Sequence, residues 1–127
     1  MTMTAPNLRD RYLQDSVNTA SPAKLLIMLY DRLILDLSHG EEALSQGDRE
    51  LANEKISHAQ EIVMELMVTL DVEAWDGAPG LANLYGFILT ELIGANVAKS
   101  PERVAGCRKL LEPLRDAWRE AAAAAAG

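Results

Sequence analysis

Val17-Asn18-Thr19-Ala20-Ser21-Pro22-Ala23-Lys24-Leu25-Leu26-Ile27-Met28-Leu29-Tyr30-Asp31 is the stretch that decides the fold. Its first half starts a helix. The Ser21 hydroxyl can accept from first-turn N–H groups that have no carbonyl partner, and Pro22 suits the first helical position, where a missing N–H removes no bond. Its second half is an unbroken run of apolar or aromatic residues, Leu25 to Tyr30. A helix with one buried stripe needs apolar side chains on one side only, whereas a helix apolar all round is covered on more than one side. The run therefore predicts a helix inside a helical assembly, with something covering its second side.

Composition points the same way. A chain of 127 residues is long enough for one domain with a real core. Apolar residues make up 49 % and charged residues 24 %, as in soluble globular proteins, while aromatics reach only 5 %. Plentiful Leu and Ala with few aromatics favour packed helices over a β-sandwich. Twelve basic against 19 acidic residues leave a net charge of −7, which argues against nucleic acid or an anionic membrane as partner. The single cysteine, Cys107, has no partner for a disulfide and reads as a small core residue. Met1 to Asn7 lacks the apolar core of a secretory signal, and the expectation is a cytoplasmic protein with no membrane-spanning segment.

Working outward, four long amphipathic helices are expected. The first runs over residues 21–45, with Leu26, Leu29, Tyr30, Leu33, Leu37 and Leu44 on one face, Ile27 and Ile34 on one flank, and Met28 and Leu35 on the other. Gly47 ends that segment, and Asp48 caps a second helix over 48–70 with Ala52, Ala59, Ile62, Val63, Leu66 and Leu70 as its stripe. Residues 71–80, with Trp75, Gly77, Pro79 and Gly80, form the long connection. A third helix follows over 81–98, and Ser100-Pro101 starts a fourth that reaches Ala121 or beyond. Pro113 is expected to kink or split it. The fold class is thus all-α: an antiparallel up-down four-helix bundle with a short N-terminal cap segment. One domain spans 1–127, as a mobile cap at 1–20, a bundle at 21–121 and a tail at 122–127.

Chemistry is hard to find. Dinuclear carboxylate sites in bundles need Glu-x-x-His on two helices, but Asp36 precedes His39 by three and Lys55 precedes His58 by three. Both histidines read as surface residues. The serines lie at helix starts and polar faces, and no Gly-rich phosphate loop follows a strand. These observations disfavour an enzyme. Surplus apolar residues favour binding: Ile27, Met28, Ile34, Leu35, Met64, Val68, Phe87, Ile93 and Val97 exceed one core face per helix. Grooves between helices accept amphipathic segments, and methionine adapts to varied partners.

The order of motifs resembles the flagellar export chaperone family FliS. The resemblance begins with Tyr12, Val17 and Thr19-Ala20-Ser21-Pro22-x-Lys24-Leu25, followed by Met28-Leu29-Tyr30-Asp31. It continues through Gly47-Asp48, Ala59-Gln60-Glu61-Ile62, Glu65-Leu66-Met67, Thr69-Leu70-Asp71, Asn83-Leu84-Tyr85, Leu92-Ile93-x-Ala95-Asn96 and Leu114-Arg115-Asp116-Ala117-Trp118, covering roughly residues 8 to 120. Arg32, Pro113, Gly86 and Gly94 depart from the family pattern.

The resemblance implies a cytoplasmic chaperone that holds the disordered C-terminal region of flagellin, prevents premature polymerisation and presents the subunit to the flagellar type III export gate. An export-gate component and flagellar regulators are further candidate partners. It implies neither ATP nor metal, and no nucleic acid or membrane insertion, for a monomer or weak homodimer. The N-terminal segment would cover part of the apolar surface at rest. On this basis the partner-binding residues are Tyr12 and Val17 from the cap, Ile27, Met28, Ile34 and Leu35 from the first helix, and Met64 and Val68 from the second. The alternative is a self-associating structural bundle that buries the same faces against copies of itself.

Overall fold

A computed structural model of the chain describes residues 21–126. Among them, α1 (Pro22–Ser45), α2 (Arg49–Thr69), α3 (Ala78–Ala98) and α4 (Pro101–Ala126) follow one another without a strand. α1 packs on α2 and α4, and α3 packs on the same two, so the helices close a ring in chain order. Short links between sequential neighbours make each pair antiparallel. The expected four-helix bundle is the fold.

Local chemistry sets the helix ends. Ser21 Oγ accepts from Lys24 N–H at 3.2 Å with Pro22 directly after it, and Asp48 Oδ1 accepts from Leu51 N–H at 3.1 Å. α3 ends where Lys99 turns into the left-handed region at φ 53, ψ 48, and both Lys99 and Ser100 N–H groups reach the Ala95 carbonyl. α3 starts three residues before the expected Leu81. Pro79 falls in the first turn, where no N–H has a helical partner, and Ala78 is fully buried.

The core follows the predicted stripes of α1 and α2, with Leu33, Leu37 and Val63 inaccessible, and Ile88, Leu92 and Leu111 complete it from α3 and α4. Ile56, absent from the expected α2 stripe, is also fully buried, whereas Leu70 and Leu84 only pack against the core edge. Tyr30 and Tyr85 meet across the bundle from α1 to α3, hydroxyl to hydroxyl at 2.6 Å. Burial raises both phenol pKa values above the ordinary tyrosine range. The Trp118 ring stands edge-on to Tyr30 at 6.2 Å between centroids.

Several expectations change. Pro113 neither splits nor ends α4, which runs unbroken to Ala126. Its ring faces solvent, and α4 is fastened on both sides of it: Arg108 bonds Glu41 at 3.2 Å, and Arg119 bonds Asp31 at 2.9 Å. Gly94 is a fitted position in α3, because a Cβ there would overlap the Arg103 guanidinium, which forks onto Glu91 at 2.8 and 3.4 Å. That pairing holds the Glu91 carboxyl below its ordinary pKa. His39 is exposed as expected, but His58 is not a free surface residue. Its Nδ1 meets Oδ2 of Asp36, a carboxylate 1 % exposed, while Arg32 Nε stands 3.4 Å from the other oxygen. Finally, among the described residues one helix, α3, is long and apolar enough to cross a membrane by length and composition. Its Tyr85, Ile88 and Leu92 are buried in the bundle, which accounts for that apolar content.

Candidate functional site

The two ends of the bundle are built differently. At the end holding the α1–α2 and α3–α4 links, small residues fill the interior: Gly40, Ala43, Ala52, Ala95, Val104 and Cys107 are all buried. Gly40 lets α2 come close, since a Cβ there would stand 3.0 Å from Ile56. The Cys107 thiol, pushed up to about 11 by burial, is a core residue as expected.

At the other end the side chains are large and the helices do not close over them. A pocket of about 760 Å³ opens there. The run that opened the sequence contributes Leu25, Met28 and Leu29; α2 contributes Leu66, and Leu70 follows at its C-cap. Tyr85 and Trp118 form part of its floor, and Trp75, from the link between α2 and α3, forms a wall. The volume lies within the ~300–1,000 Å³ range of ligand pockets. Its lining is mostly apolar and offers water few hydrogen-bond partners.

Polar groups at the rim are largely engaged locally. Thr69 Oγ1 donates to the Glu65 carbonyl at 3.0 Å, and Asp71 Oδ1 accepts from Glu73 N–H at 3.0 Å. The buried Trp118 Nε1–H has no acceptor among the described residues. Among the described residues, no group of three or more His, Cys, Asp or Glu side chains is placed to hold a metal. Chemically, this end suits the burial of apolar side chains.

The predicted site residues do not converge. Met28 lines the pocket; Ile27 is half-buried outside its lining. Leu35 is exposed farther along α1, and Met64 and Val68 lie one turn apart on the outer side of α2, with Val68 85 % exposed. Ile34 is a core residue at 6 % exposure, because the α1 flank it occupies turns inward beside α4. Tyr12 and Val17 lie outside the described residues. Sequence reasoning missed Leu25, Leu66 and Leu70 as pocket residues, having assigned the last two to the core, and placed Trp75 only in a loop. A lone aromatic among turn formers was the available signal.

A family model described as flagellar protein FliS matches residues 5–125 of this chain. The flagellar secretion chaperone FliS of Bacillus subtilis is 30 % identical over 119 residues, 94 % of this chain and 89 % of that protein. Its counterpart in Vibrio cholerae serotype O1 is 27 % identical over 107 residues, 84 % of this chain and 79 % of that one. In three dimensions, a solved bacterial flagellar chaperone shares the fold, with a TM-score of 0.74 at 24 % identity over 93 % of this chain and 97 % of its own. The relatives are named as chaperones, a non-enzymatic class.

Proposed function

The chain belongs to the FliS family of flagellar secretion chaperones, and on that premise we propose that it binds the disordered C-terminal region of flagellin in the cytoplasm. Holding that region keeps it from polymerising early and delivers the subunit to the flagellar type III export apparatus. The observation that carries the reading is the apolar end pocket, in which half-buried leucines and two tryptophans surround a volume that a client's side chains would fill. A disordered client must be ordered on binding, at a cost of roughly 2–5 kcal/mol, and apolar burial offsets that cost. The exposed apolar residues outside the pocket, such as Leu35, Met64, Val68 and Ile93, extend the surface along which an extended client lies.

Ser21, where the described chain begins, adjoins the pocket residue Pro22. The cap segment over residues 1–20 is, in this proposal, the cover of that surface when no client is bound. Titration calorimetry of the full chain against a flagellin C-terminal peptide tests the reading: one-to-one binding with a negative heat-capacity change is expected. A stable self-associated species in light scattering that ignores the peptide would replace the chaperone by the structural bundle. Removing residues 1–20 should tighten peptide binding several-fold if they are a cover, and leave it unchanged if they are not.

A further inference from the structure

We propose that Trp75 is a specificity-determining wall of the end pocket, and that Gly77 is the residue that lets it stand there. The inference rests on the reading of that pocket as the client site.

The link over residues 70–77 is the longest between described helices. Its backbone is tied at three points: Asp71 Oδ1 accepts from Glu73 N–H, Ala74 N–H reaches the Asp71 carbonyl, and Ala78 N–H reaches the Trp75 carbonyl at 3.1 Å. These bonds fix where the Trp75 Cα sits. Gly77 fixes where its ring lies. A Cβ built on Gly77 would fall inside the far edge of the indole. The backbone there has φ −82 and ψ −11, which any residue adopts, so what glycine supplies is the space the ring fills and not a special conformation. The ring occupies that space, lines the pocket and remains 50 % exposed.

A large aromatic left half in water beside an apolar cavity is a surface that an occupant would bury. Rigid aromatic anchors of this kind commonly dominate binding energy at an interface. The link also brings Leu70, Asp71 and Ala74 to the pocket, but the indole is the bulkiest side chain it contributes, so its size sets how bulky a side chain the opening admits. The occupant it fits is a large aliphatic or aromatic side chain of the flagellin segment, packed flat against the indole. Trp75 and Trp118 are the only tryptophans of the chain and both line this pocket, so intrinsic fluorescence reports on the site alone.

The test titrates a flagellin C-terminal peptide into the wild-type chain, Trp75→Ala, Gly77→Ala and the double variant, following heat and tryptophan emission. Far-UV circular dichroism on each checks that the bundle is intact. Trp75→Ala should weaken binding about tenfold or more with helicity unchanged, the usual scale for an aromatic anchor. Gly77→Ala should shift emission and weaken binding several-fold, and should add nothing in the Trp75→Ala background. If the wild type binds and Trp75→Ala binds within twofold of it, the wall is refuted while the client reading stands. If Gly77→Ala weakens binding equally with and without Trp75, Gly77 does not act through the ring. A wild type that shows no binding overturns the client reading and this inference with it.

Discussion

The closed end and the open end of this bundle obey the same helix periodicity yet differ in outcome, and the difference is side-chain volume. At the closed end Ala43, Ala52 and Ala95 allow the four helices to converge until the interior is sealed. At the open end Leu26, Leu29, Leu70 and Trp118 are equally apolar but only partly buried, and a pocket remains between them. Large residues hold the helix ends apart while Tyr85, hydrogen-bonded to the buried Tyr30 beneath it, forms part of the floor with Trp118. Enclosure is most complete where the side chains are small. Binding capacity is concentrated where they are large and unfinished. The same apolar content thus serves packing at one end and recognition at the other.

The sharpest way to break this contrast is to add volume at each end. Ala52→Leu, at a fully buried closed-end position, should cost about 3 kcal/mol in urea denaturation through overpacking. Next in size, His58→Ala removes a partner from the buried Asp36 midway along α1. A loss of about 2 kcal/mol is expected, moderated by the remaining Arg32, and replacing both Asp36 and His58 by leucine should recover most of it. Tyr30→Phe leaves the Tyr85 hydroxyl buried without its partner and should cost roughly 1–2 kcal/mol by thermal denaturation; the double variant with Tyr85→Phe should cost less than the sum. Smallest in stability is Ala74→Leu at the open end, where the added side chain can enter the pocket. Its denaturation midpoint should stay within about 0.5 kcal/mol of the parent while flagellin peptide binding falls about tenfold. Equal destabilisation by Ala52→Leu and Ala74→Leu would erase the distinction between the ends.

Much of this was legible in advance because helices announce themselves locally. Ser21-Pro22, Asp48 and Ser100-Pro101 marked three helix starts, and all three hold. Apolar spacing identified most of the buried stripes. Errors arose where a neighbour decides the matter. Pro113 breaks a local rule, but ion pairs to α1 on either side of it keep α4 continuous. Ile34 and Leu35 are adjacent and equally apolar, yet one is core and the other exposed, because α4 lies against only one flank of α1. Asp36 gave no sign of burial, since its partner His58 comes from another helix. The candidate site was less legible than the fold for the same reason: a pocket is made of gaps between elements, and one sequence position carries no record of a gap.

The sequence by itself determined four amphipathic helices, where most of them start, and an excess of apolar surface beyond one core. These depend on contacts between residues three or four apart and on backbone groups at helix ends, so they are fixed within a few turns of chain. The tertiary structure alone decided which apolar residues are enclosed, that one end closes and the other stays open, and that Trp75 stands over the opening. Those outcomes depend on how closely two helices approach, and that distance is set by side chains far apart in the chain meeting across the interface.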